Sequence, residues 1–177
     1  NDNTGTSNDN SGTSTENSGG ASGNTGSSSE YVVFTDKNDL FQFEVPGDWV
    51  YGESSGENYY LVEFKAPNGL LELENLVYDD GTPFTGNQNG KFALNLLHRF
   101  YSTTGKQGDI RVSDDSIMPD GSERLTWKSK SGGYGGQSFF EVRKKTTFLM
   151  LTTIFHDNAT DADLEILKYI ISSYKVP

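Results

Sequence analysis

One short stretch gathers the side chains that could do chemistry. His156 is followed by Asp157, Asn158, Asp161 and Asp163, and an imidazole beside closely spaced carboxylates offers the donor types that calcium or zinc takes. The register does not suit an EF-hand, because DNATDADLE lacks the central glycine and the terminal bidentate acid at the spacing such a loop uses. Helix capping accounts for the same acids without an ion. Thr160 fits the cap position, Asp163 stands three residues later where a capping box places an acid, and Asp161 adds charge at the positive helix end. His156, Asp157, Asp161 and Asp163 are the candidate ligands for calcium or zinc, with capping as the simpler account; no other cofactor is expected.

Elsewhere the reactive types stand alone. The chain has two histidines and no cysteine, so a cysteine nucleophile and a thiolate zinc site are excluded. His98 falls on the polar arc of a helical pattern, which predicts a solvated histidine. No G-x-S-x-G elbow occurs, and neither histidine has an acid and a serine placed for a triad. Asp79-Asp80 and Asp114-Asp115 read as solvated turn acids. The glycines of GGYGG lack the lysine and the strand-to-helix setting of a phosphate loop, so they read as a flexible hairpin turn. Tyr51, Tyr59, Tyr60 and Tyr134 form a candidate surface for a protein, glycan or apolar ligand, against half-buried strand packing as the alternative. No catalytic residue is assigned, and a non-enzyme is expected.

The element that must position these groups is Thr147 to Phe155. Read as a strand, it carries Leu149, Leu151 and Phe155 on one side and Phe148, Met150 and Ile154 on the other, so neither side can face water. A strand buried on both faces needs layers above and below it, and two amphipathic helical patterns can supply them. Lys91 to Tyr101 gathers Phe92, Ala93, Leu96, Leu97 and Phe100 on one face, with Gly105 as its stop. Leu164, Leu167, Ile170, Ile171 and Tyr174 form the stripe of the second, opposed by Ser172 and Ser173.

The remaining strands follow from alternation. Tyr31 to Phe34 should begin the sheet. In FQFEVPGDW, Phe41, Phe43 and Val45 form one buried face, Pro46 ends the strand and Trp49 anchors the core. Tyr59 to Lys65 and Leu70 to Tyr78 flank the turn Pro67-Asn68-Gly69, with Glu72 and Glu74 expected on the solvent side. Asp109 to Met118, Glu123 to Lys130 and Ser138 to Lys144 lead into the central strand as an antiparallel meander. The expected class is α+β: an antiparallel sheet flanked by helices on both faces.

Composition divides the chain in two. The first 29 residues hold no large apolar residue, so residues 1–29 are expected to be a disordered tether and residues 30–177 one globular domain. Of the formal charge of −11, Asp2, Asp9 and Glu16 supply −3, leaving −8 for the domain. An acidic domain argues against nucleic acid as the partner. The Ser/Gly/Asn/Thr leader reads as the tether of a bacterial lipoprotein, with an interdomain linker as the alternative. Localisation is then outside the cytoplasmic membrane, held through an upstream lipid anchor, with an unidentified membrane-associated protein or envelope component as the partner.

Three phrases carry a family resemblance. FQFEVPGDW, FFEVRKKTTFLMLTTIF and LEILKYIISSYKV resemble the aromatic strand, late hairpin and closing helix of the PsbP-like family, which takes in a photosystem II extrinsic protein and a nuclear-transport factor. The closing pair here is Ser173-Tyr174, where the family more often has Ser-Phe. The resemblance implies a helix-flanked antiparallel sheet and a non-catalytic binding or assembly role. A carrier of a small apolar ligand in a sheet-helix cavity and a photosystem-type accessory protein are the alternatives.

Overall fold

The computed structural model describes residues 29–86, 88–103 and 109–177. The leader expected over residues 1–29 lies outside the described residues except for Ser29, as does Gly105. Eleven elements follow in order: β1 (Tyr31–Thr35), β2 (Gln42–Pro46), β3 (Val50–Gly56), β4 (Tyr59–Lys65), β5 (Leu71–Tyr78), α1 (Asn89–Tyr101), β6 (Ile110–Ile117), β7 (Glu123–Ser129), β8 (Tyr134–Arg143), β9 (Thr147–His156) and α2 (Asp161–Ser173).

Seven strands form one antiparallel sheet in the order β3-β4-β5-β9-β8-β7-β6. β9 is fourth of the seven and is flanked by β5 and β8. Every residue from Thr147 to Ile154 is buried, as a strand apolar on both sides requires.

Its two sides belong to two separate cores. Leu149 and Leu151 pack with Leu71 and Leu73 and with Leu167 and Ile170 of α2. Phe148, Met150 and Ile154 pack with Ala93, Leu96 and Leu97 of α1 and with Trp127 of β7. The α2 layer is only partly helix: Phe41, Phe43 and Val45 of β2 share its core. Helix α2 starts with the expected capping box between Thr160 and Asp163.

Several expectations are corrected. β1 does not begin the main sheet; it pairs only with β2, in a separate ribbon. That ribbon is stitched to the C-terminal tail by Gln42 N–H donating to the Lys175 carbonyl and Lys175 N–H donating back, each at 2.8 Å. β3 was hidden because VYGESSG has no alternation, being an exposed edge strand whose only sheet neighbour is β4. β8 starts at Tyr134, so Gly135 and Gly136 lie in a strand and not in a turn. At Gly136 the reason is space: a Cβ there would stand 2.6 Å from Trp127 Cζ2 and 2.6 Å from the Thr153 carbonyl oxygen.

Charge and polarity also departed from alternation. Glu74 faces the α1 core, where it is 8% exposed, and not solvent. Val112 is 38% exposed because β6 is the other edge strand and bulges between Val112 and Asp114. Ser173 turns inward, accepting from Glu44 N–H at 2.9 Å and donating to the Ile170 carbonyl at 2.7 Å. His98 is half-buried, and its Nδ1 is buried with no hydrogen-bond partner among the described residues.

Candidate functional site

An apolar cleft opens where α2 ends against the sheet. It has a volume of about 270 Å³, with Phe139, Leu149 and Leu151 of β8 and β9 as its floor and Ile171, Tyr174 and Val176 as its wall. Alternation puts Phe139, Glu141 and Arg143 on one side of β8, so two charged side chains stand at the margin of an apolar floor. The β6–β7 turn closes the rim with Met118, Asp120 and Ser122.

The wall is held by specific contacts. Tyr174 donates to Asn75 Oδ1 at 3.0 Å, and its ring stacks on Phe41 and Phe43 with centroids 6.1 and 6.3 Å away. Burial raises the Tyr174 hydroxyl pKa well above the usual phenol range, so it remains a donor at any physiological pH. Asn75 is 1% exposed, and its Nδ2 has no hydrogen-bond partner among the described residues. At the rim Arg143 Nε donates to Glu141 at 3.0 Å. Asp120 accepts from Ser122 Oγ at 2.7 Å and from its N–H at 2.9 Å, and these bonds hold its carboxyl below the usual range.

The opposite core contains an internal carboxyl. Glu74 lies across from Thr152 of β9 and Glu63 of β4, and burial raises its pKa to about 7, with Glu72 and Glu63 adding to the rise and Tyr101 and Lys65 opposing it. The Tyr101 hydroxyl is fully buried with no hydrogen bond of ordinary geometry among the described residues; burial first, and then the Glu74 charge, push its pKa up. Beside them Trp127 Nε1 donates to Ser138 Oγ at 3.1 Å, and Ser138 Oγ lies 2.9 Å from Thr152 Oγ1. Sequence alternation assigned Glu74 to solvent; only the position of α1 shows otherwise.

Two of the four expected metal ligands, Asp157 and Asp163, are engaged by other side chains. Asp157 pairs with Lys128 at 2.9 Å. Asp163 accepts from Thr160 N–H at 2.8 Å, Thr160 Oγ1 at 2.7 Å and Asn68 Nδ2 at 3.3 Å, and the Thr160 backbone contact is the chief reason its pKa is lowered. Asp161 is exposed in the first turn of α2. His156 is half-buried with its ring 6.0 Å from that of Tyr134, and its side chain makes no hydrogen bond or ion pair among the described residues. No group of three or more His, Asp or Glu side chains among the described residues is arranged to hold a metal.

The four tyrosines do not share a surface. Tyr51 is 49% exposed and lies on Phe34 and Phe64, while Tyr60 donates to Asp36 at 2.9 Å under the same layer. Tyr59 packs on Phe100 over the opposite core, and Tyr134 donates to the Tyr101 carbonyl there. The cleft residues that alternation could have flagged are Phe139, Leu149 and Leu151; the turn and tail that complete it gave no local sign.

No known protein-family profile matches the chain, and no curated protein matches it. Among solved structures the fold is similar to the solution structure of cyanobacterial PsbP (CyanoP) from Synechocystis sp. PCC 6803, with a TM-score of 0.64 and 15% identity, over 89% of this chain and 98% of that one. The chain thus has a PsbP-like fold: a mostly antiparallel sheet with two helices.

Proposed function

We propose that this protein is a non-catalytic accessory domain that binds a component of the cell envelope through the cleft beside α2, outside the cytoplasmic membrane. The reading takes the two helices as outer layers of an α/β/α arrangement and the polar leader as a lipoprotein tether. The observation that carries it is the cleft of about 270 Å³ at the end of α2, where half-buried Phe139 adjoins buried Leu149 and Leu151 and the wall of Ile171, Tyr174 and Val176. An apolar floor with a charged rim is the anatomy of a recognition surface: the centre excludes water and the margin sets orientation. Neither a metal nor a catalytic group is needed for that task. The resemblance to a photosynthetic accessory protein agrees with a binding role and carries no photosystem partner over to this chain.

The test is proximity in the native envelope. A benzophenone amino acid replacing Met118 at the rim should give a discrete cross-linked adduct in cells of the source organism. The same group replacing Asn95, which is exposed on α1, should not. Adducts from position 95 alone would move the binding surface to the other face, and none from either position would remove the reading.

A further inference from the structure

Resting on that reading, we propose that the cleft is a socket for an apolar side chain that a partner polypeptide presents beside lysine or arginine. Size argues for a side chain. The cleft holds about 270 Å³ and is open on one side, at the small end of the about 300 to 1,000 Å³ of pockets that bury most of a drug-sized ligand. A small, open space suits one anchor residue of an interface, which fills a pocket while the rest of the partner stays outside.

Charge sets what flanks the anchor. Among the lining residues Asp120 and Glu141 are acidic and Arg143 is basic. Arg143 is already engaged by Glu141, which leaves Asp120 as the uncompensated charge of the rim. Asp120 stays ionised, because Ser122 satisfies it through both N–H and O–H. The domain as a whole carries −8 once the three leader acids are set aside from −11. A basic flank is therefore attracted at long range and at contact, while an acidic flank is repelled at both. Specificity here comes as much from rejecting acidic segments as from holding basic ones.

The chain carries its own reporters. It has two methionines: Met118 lines the cleft, and Met150 is 0% exposed in the opposite core. With both methyl groups labelled with carbon-13, the protein is titrated by NMR with acetyl-Lys-Lys-Trp-Lys-Lys-amide and, separately, with acetyl-Glu-Glu-Trp-Glu-Glu-amide. The Met118 methyl should shift saturably with the basic peptide and leave Met150 in place, and the acidic peptide should bind about tenfold more weakly or worse. The preference should shrink in salt, since rim charges are exposed.

Two variants complete the test. Asp120→Asn, which removes the uncompensated rim charge and leaves Glu141 paired with Arg143, should remove most of the preference between the two peptides, and Val176→Trp, which fills the socket from the chain's own tail, should abolish the Met118 response while both methyl signals stay dispersed. Equal affinity of the two peptides for the unaltered protein overturns the charge assignment. Movement of Met150 together with Met118, or no shift with either peptide, overturns the socket itself. Either failure is distinct from failure of the accessory reading, which the cross-linking at Met118 and Asn95 judges without these peptides.

Discussion

The two faces of β9 are built from the same strand and finished differently. Beneath α1, Phe92, Phe84, Phe140 and Phe148 close on one another with centroids about 5 to 6 Å apart, and Trp127 fills the remaining space under Tyr101. That closed side nonetheless encloses Glu74. On the α2 side Phe34, Phe41, Phe43 and Phe64 form an aromatic cluster with centroids about 5 to 6 Å apart, yet Phe139 of β8 is only half-buried and lines a cleft. The difference separates two uses of burial: one face is sealed around a carboxyl that tunes stability, and the other leaves a cleft beside half-buried Phe139.

Opening the closed face should have the largest effect. Trp127→Ala removes the largest fully buried side chain and takes away the donor to Ser138, which keeps its bond to Thr152. A loss of about 3–5 kcal/mol is expected from chemical denaturation, as for other buried aromatic truncations. Gly136→Val should destabilise for the complementary reason, because the added carbons collide with Trp127 and the Thr153 carbonyl. A small loss in either variant would mean that this face is not the tightly packed one.

The buried carboxyl makes the next prediction, and its sign is opposite to ordinary acid denaturation. A Glu raised from 4.5 to about 7 in the folded state holds its proton more tightly folded than unfolded. Its contribution to stability is fully present below pH 4.5 and is lost as pH rises through 7. The expected loss across that window is about 3 kcal/mol, and Glu74→Gln should flatten it. Unfolding midpoints measured from pH 4.5 to 8 decide this, and a wild-type curve parallel to that of Glu74→Gln would place the carboxyl in water.

How far these faces were legible depends on what each residue's neighbours are. The central strand, Trp127 and the α2 cap could be read from local pattern, since a strand apolar on both sides has one solution and Thr160 with Asp163 satisfies orphan N–H groups in place. Glu74 could not, because alternation gives only which side of β5 it occupies. Its burial comes from Tyr101, 27 positions later in the numbering. β3 was invisible because an exposed edge needs no apolar period. The cleft was half legible: its floor alternates, but its rim joins the β6–β7 turn to the last residues of the chain, and no window of sequence contains both.

The open face can be probed more gently at its wall. Tyr174→Phe keeps the ring on Phe41 and Phe43 but removes the donor to Asn75, leaving both ends of a buried amide unpartnered. A loss of about 1–2 kcal/mol should follow, together with a shifted Met118 methyl as the wall loosens. Unchanged stability would mean that water already serves Asn75 from the cleft.

The smallest expected effect separates the two ends of α2. Thr160→Ala removes the hydroxyl that accepts from Asp163 N–H and the partner of its carboxylate, which should cost about 1 kcal/mol in denaturant titration. Thirteen helical residues put about 20 Å between that cap and the cleft. A helix that merely frays at its start keeps Ile171 and Tyr174 seated, since Tyr174 is fixed independently by Asn75 and the neighbouring Lys175 by Gln42. The Met118 methyl should therefore stay in place in Thr160→Ala although the protein is less stable, whereas Tyr174→Phe should move it. If loosening the cap displaced Met118 as well, α2 would be acting as one rigid lever, and the open face would be set by the whole helix and not by its last turn.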